Sequence, residues 1–190
     1  VAALLLGASC VTSSGGAVLS PREKAMVALQ KGDTAQAVVL FDALHAEAPA
    51  DLDIARGWAE AHVKNGTAAG VMSRLGTADT AVAHYVRGLI LFANAKEAGG
   101  GAVLAFRKAV EKAPAEGELH YRLGIALLES EQYEAARESL AAALERAPQR
   151  TSWHLPYAKA LHRVGRSRDA TASIRVVVTS DCTTQEAATA

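Results

Sequence analysis

Residues 102–148 read AVLAFRKAVEKAPAEGELHYRLGIALLESEQYEAARESLAAALERAP. Twice in this stretch an alanine is followed four residues later by a bulky apolar residue, and eight residues beyond that by a proline. Ala102, Phe106 and Pro114 form the first set, and Ala136, Leu140 and Pro148 the second, 34 residues on. In a helix, residues i and i+4 lie on one face. The alanine therefore marks a place where two helices cross closely, and the bulky residue one turn later fills the groove between them. The proline cannot donate to a continuing helix, so it marks where the second helix of a pair stops. The repeating object is a helix pair.

Working outward, Ala37, Phe41 and Pro49 fit the same ladder, and Ala170 with Ile174 extends it without a proline. The 65-residue gap between Ala37 and Ala102 has room for one divergent unit, with Val71 and Leu75 at its key places. A fixed period of this size is the mark of a repeat array. First helices are predicted at 21–31, 51–65, 79–97, 116–130 and 150–165, and second helices at 34–47, 67–76, 100–113, 133–146 and 167–179. Each pair exposes an apolar side until its neighbour stacks on it, so the units form one cooperative core.

The pattern resembles the tetratricopeptide repeat, W-x2-L-G-x2-Y…A-x3-F…P. The fourth unit matches best, with His120, Leu123, Gly124 and Leu127 followed by Tyr133, Ala136, Leu140, Ala143 and Pro148. The first keeps Gly32, and the third keeps Gly88 and Ala109 but carries extra residues around Gly99-Gly100-Gly101. The fifth has Gly165, and the second, from about Asp51 to Asp79, is short and degenerate. The resemblance implies an all-α, right-handed superhelical solenoid of about five antiparallel helix pairs. The predicted organisation is residues 1–20 as leader and linker, 21–180 as solenoid and 181–190 as a disordered tail.

Composition agrees with helices. Half of the residues are hydrophobic but only 5% are aromatic, and much of the difference is alanine, the best helix former. The formal net charge is zero, so no global field draws the chain to nucleic acid or membrane. Locally the balance breaks. Arg146, Arg150, Lys159, Arg163, Arg166, Arg168 and Arg175 face a single acid, Asp169, while eight acids fall between Glu111 and Glu145. One end is expected to be basic. Cys10 and Cys182 give neither a disulfide framework nor a metal-ligand spacing.

The amino terminus, VAALLLGAS before Cys10, is too short to span a bilayer and looks like the tail of a secretory signal. A cysteine directly after small residues resembles a bacterial lipobox, although Gly7 stands where leucine is usual and Leu6 is one step early. Lipidation at Cys10 would place the protein at the bacterial cell envelope, facing the periplasm on the outer membrane. Thr12 to Gly16 would then be the start of a tether. The alternative is a cytoplasmic adaptor in which the run is an apolar cap.

The resemblance also implies a ligand face, because the first helices of such a solenoid line its concave side. Carried over residue by residue, that face includes Arg22, Met26, Leu29 and Val63. Its predicted binding groove is Arg56, Glu60, Tyr85, Leu89, Phe92, Tyr121, Ile125, Leu128, Lys159 and His162. A floor of Tyr85, Phe92 and Tyr121 suits an extended peptide or an amphipathic helix, provided those rings are not fully buried. Met26, Glu60, Leu89 and Ile125 stand where a chaperone-tail clamp needs asparagine, which argues against that mode. His84, His120 and His154 recur once per unit, and neighbouring repeats would hold them about 10 Å apart, too far to share one metal. The basic cluster Arg163, Arg166 and Arg168 is read as a solvated end cap, and no aromatic residues interleave it to stack nucleic-acid bases.

No phosphate-binding loop, nucleophile elbow or paired zinc-ligand motif occurs, and Gly99 to Gly101 is a run between helices with no strand before it. The expectation is a non-catalytic scaffold with a protein partner and no cofactor or metal. Two further roles stay open: a soluble adaptor, and an accessory factor acting on a cell-wall or secretion/pilus-assembly enzyme.

Overall fold

The computed structural model describes residues 19–94 and 100–189, with side chains described to residue 179. The fold is an all-helical solenoid of five antiparallel pairs. The pairs are α1 (Pro21–Lys31) with α2 (Thr34–Glu47), α3 (Leu52–Lys64) with α4 (Ala68–Leu75), and α5 (Ala81–Asn94) with α6 (Gly100–Lys112). They continue with α7 (Gly117–Glu129) and α8 (Tyr133–Arg146), then α9 (His154–Arg163) and α10 (Ser167–Thr189), with a 3-10 turn at Thr151–Trp153 entering α9. Most predicted and observed ends agree within about two residues, and the predicted end at 97 lies outside the described residues. Two places differ: α9 begins at His154 and not at 150, behind the 3-10 turn, and residues 181–189, expected to be a disordered tail, continue α10. Cys10 lies outside the described residues.

Local chemistry sets the boundaries. Ser20 and Glu23 form a reciprocal capping box around Pro21, satisfying two of the free amides at the start of α1. Gly32 ends α1 in the left-handed region at φ 81°, which a side chain would resist, and Asp33 caps α2 by accepting from the Gln36 amide. Asp51 accepts from the Asp53 and Ile54 amides at the start of α3.

The alanine ladder is buried as its role requires. Ala37, Ala102, Ala136 and Ala170 all lie in the core, as do Phe41, Phe106 and Leu140. Space for the bulky residues comes from glycines on the facing helices. A Cβ on Gly88 would stand 2.5 Å from the Phe106 ring, and one on Gly57 would stand 2.3 Å from the Phe41 ring. The first is a contact within a unit. The second joins unit one to unit two.

Unit two is the weak member because α4 has only eight residues. Two polar devices hold it. Arg87 of α5 reaches back and donates to the carbonyls of Leu75 (3.2 Å), Gly76 (2.8 Å) and Ala78 (2.8 Å), satisfying acceptors that a longer helix would have used itself. On the other side, the indole N–H of Trp58 donates to Asp42 at 2.7 Å, and Arg74 donates to the same oxygen at 3.0 Å. His45 stacks on Trp58 with ring centroids 4.1 Å apart, and His62 meets it edge-on. This knot ties α2, α3 and α4 together.

Candidate functional site

Arg56, Ala59, Glu60, Val63 and Lys64 of α3, Leu89, Phe92 and Ala93 of α5, and Arg122 of α7 line a groove of about 290 Å³ on the first-helix side. Four of the ten predicted groove residues meet there: Arg56, Glu60, Leu89 and Phe92. The spacing explains why. Arg56 and Glu60 are one turn apart on α3, and Leu89 and Phe92 are neighbours on the face of α5 that packs beside it. Leu89 and Phe92 are half-buried, touching the core while keeping part of their surface on the groove, so the floor is apolar and reachable.

Tyr85 is not on that floor. It is fully buried, and its hydroxyl donates to Glu118 of the next unit at 3.1 Å. Glu118 in turn accepts from Arg122 at 2.8 Å, and the pair closes over the tyrosine. Burial, with the carboxylate of Glu118 nearby, raises the Tyr85 phenol well above its ordinary value and keeps it neutral. Leu128 is likewise core, not groove. Tyr121 is half-buried because it stacks on Trp153 of unit five, with centroids 4.7 Å apart. Ile125 is half-buried and lies outside the groove lining. Lys159 and His162 line a different depression at the end of the stack.

Charge is distributed unevenly along this face. Around the apolar floor stand Arg56, Lys64 and Arg122 against Glu60, and Glu60 is paired with Lys64 at 2.7 Å. A second groove, of about 530 Å³, opens toward the amino-terminal ends of α3, α5 and α7 and carries Asp51, Asp53, Glu116 and Glu118 against Arg150. Asp53 bridges the two, bonded to Arg22 at 2.8 Å and Arg56 at 3.4 Å. Although partial burial acts to raise the Asp53 pKa, those arginines hold it below its usual value. Arg56 Nε has no hydrogen-bond partner among the described residues. Arg122 is missing from the sequence-based site because it stands next to a conspicuous tyrosine, and only the stack shows which of the two faces the groove.

The histidine column does not act as one site. His84 Nε2 is 2.7 Å from Asp79, His120 Nε2 is 2.9 Å from the Pro114 carbonyl, and His154 Nδ1 is 2.9 Å from Ser173. Each ring is engaged within its own neighbourhood. The basic cluster also divides. Arg163 bonds to the Tyr133 hydroxyl and lies 4.3 Å over that ring, Arg166 pairs with Asp169 at 2.7 Å, and Arg168 is exposed.

Comparison with known proteins agrees with this architecture. The family model of the tetratricopeptide repeat matches residues 93–160. No curated protein matches the chain. Among solved structures, MamA MSR-1 is similar at a TM-score of 0.59 and 22% identity, over 86% of this chain and 96% of that one. MamA from Desulfovibrio magneticus RS-1 gives 0.59 at 18% identity, over 86% and 94%. A MamA RS-1 double mutant gives 0.62 at 18%, over 87% and 95%. At these identities the likeness is one of fold. Residues 93–160 match the tetratricopeptide-repeat model, and the described residues share the all-helical solenoid fold of these structures.

Proposed function

We propose that this chain is a non-catalytic scaffold that holds a segment of a partner protein in the concave groove floored by Leu89 and Phe92. The observation that carries the reading is an open apolar pair set between two guanidinium groups, Arg56 and Arg122, on the inner helices of a stacked array. An aliphatic or aromatic side chain from a bound peptide or helix would be buried on the floor, and the arginines would fix its orientation. The repeat sequence and the shared fold support a role in protein binding. Replacing Phe92 with a photocrosslinking phenylalanine derivative in the source cells tests it. Capture of a defined protein at this position, and not at exposed Val39 on α2, is the expected result. Crosslinks at both positions or at neither would refute it.

The apolar run ending at Cys10 supports placing this scaffold at the bacterial cell envelope, with the solenoid tethered through a lipid on that cysteine. No described helix is long and apolar enough to cross a membrane. Mass spectrometry of the protein from its own cells tests the placement. An acylated amino-terminal Cys10 is expected, and an unprocessed Val1 would end it.

A further inference from the structure

We propose that α4 is a pH-released latch: Arg74 bolts it to the rest of the knot around Trp58, and a second proton on His62 withdraws the bolt, with His45 acting in the same sense. The latch stands apart from the concave groove and holds whether or not a partner lies there.

Arg74 is the side chain that α4 sends into the knot, and it bridges two groups that would otherwise oppose each other. One end of its guanidinium donates to Asp42 Oδ1 of α2 at 3.0 Å, and Nη2 lies 3.1 Å from His62 Nε2 of α3. A guanidinium has donors only, so His62 Nε2 is the bare, accepting nitrogen. Nδ1 then carries the proton and donates to the Thr67 hydroxyl at 2.7 Å, and that hydroxyl donates to the His62 carbonyl at 3.4 Å. Nε2 and Asp42 Oδ1 stand only 3.3 Å apart. They are two acceptors face to face, and Arg74 lets them share that space.

A second proton on His62 inverts the arrangement. Nε2 becomes a donor and reaches Asp42 across the same 3.3 Å, as an ion pair. Arg74 loses one acceptor, must compete for the other, and meets a new cation beside its Nη2. His62 is buried, so that charge is little screened. His45 works alongside. It stacks on Trp58, over whose ring Arg74 also lies at 5.1 Å, and its Nδ1 is buried with no hydrogen-bond partner among the described residues. A proton there would have nothing to donate to, and the charged ring would repel Arg74 as well. The groups facing the two rings are Asp42 of α2, Trp58 of α3, Thr67 and Arg74. Among the described residues, no charged side chain of α1 or α5 bonds to either ring.

The release is confined to α4. That helix has eight residues and buries Ala68 and Val71, whereas Trp58 donates to Asp42 at 2.7 Å and joins α3 to α2 without it. A short element with few buried residues can open while its neighbours stay packed. The latch also lies behind one groove wall. Trp58 and His62 are one turn apart on α3, and Arg56 and Glu60 sit on its opposite face, about 200° around the helix.

Native-state hydrogen exchange on the full chain tests the latch, with rates referred to those of an unstructured chain at each pH. Between about pH 7.5 and about pH 5, where histidines change charge, the amides of residues 71–76 should lose at least about tenfold more protection than those of α7 and α8. His62→Gln can still accept from Arg74 but takes no proton, so it should reduce that excess loss to about threefold or less. Arg74 is exposed, so Arg74→Met keeps the test decisive if the buried glutamine disturbs folding. Its α4 amides should be about as weakly protected at pH 7.5 as those of the wild type at pH 5. Equal losses in α4 and in α7 and α8 of the wild type would overturn the proposal. So would an excess loss in α4 that persists undiminished in His62→Gln or in Arg74→Met.

Discussion

A Cβ placed on Gly124 would stand 2.5 Å from Cγ of Leu140, so the side chain of one helix occupies the space that its partner helix lacks. The contact lies in the best-formed unit, between α7 and α8. Gly124→Ala gains helix propensity of about 1 kcal/mol, but forcing a methyl into a filled core costs about 1–3 kcal/mol. The backbone amide of Leu140 is also 3.3 Å from that Cβ, which limits relaxation. Chemical denaturation should show net destabilisation, in contrast to Gly70→Ala on α4, where a Cβ meets nothing within 4 Å.

The polar knot around Trp58 predicts a second outcome. Asp42→Ala removes the acceptor shared by Trp58 and Arg74 and leaves the indole N–H of a buried ring without its partner. An unmet buried donor costs about 1–3 kcal/mol. Loss of that order in urea unfolding is expected, with hydrogen exchange rising first in α4, because α4 has the fewest packing partners.

Stability should fall at mildly acidic pH. Burial lowers the pKa of His45, His120 and His154 below 6.5, helped at His45 by Arg74. A base whose folded pKa is depressed binds fewer protons when folded. Its contribution is therefore intact above the unfolded value and is lost as pH falls through 6.5 toward the folded value. A second loss should follow at lower pH. Hydrogen bonds from Lys112 and His84 hold Asp79 at about 2, against 3.8 unfolded, so its contribution disappears as pH drops from about 4 toward 2. Thermal unfolding from pH 8 to 2 should show both steps, and His45→Gln should reduce the first.

Arg87→Ala should loosen unit two without disturbing the rest. Three carbonyl bonds disappear at the end of α4, each worth about 1 kcal/mol net where partly exposed. Proteolysis should then cut first near Gly76, while the unit-four core around Leu127 stays protected.

Much of this fold is legible in the sequence because local chemistry and the tertiary role coincide. Gly32 and Gly165 turn the chain, Asp33 and Asp51 cap, Pro49, Pro114 and Pro148 follow helix ends, and the alanines sit where helices touch. The groove is only half legible. Helical spacing brings Leu89 to the same face as Phe92 and Arg56 to that of Glu60, but it cannot tell how far the next unit advances over a given residue. That step buries Tyr85 beneath Glu118 and leaves the half-buried Arg122 lining the groove instead. The continuation of α10 past residue 180 is hidden for a simpler reason. Thr183, Thr184 and the small residues around them carry no apolar stripe that would mark a helix.

The central claim is that a partner segment lies on Leu89 and Phe92. Once that segment is identified by crosslinking, its dissociation constant for the wild-type chain and for Leu89→Asp, Phe92→Ala and the outer-face control Val39→Ser tests the claim most directly. Weakening of at least about tenfold for both groove variants is predicted, with the control within about twofold of wild type. Equal affinity of the groove variants, or a loss confined to Val39→Ser, would contradict it.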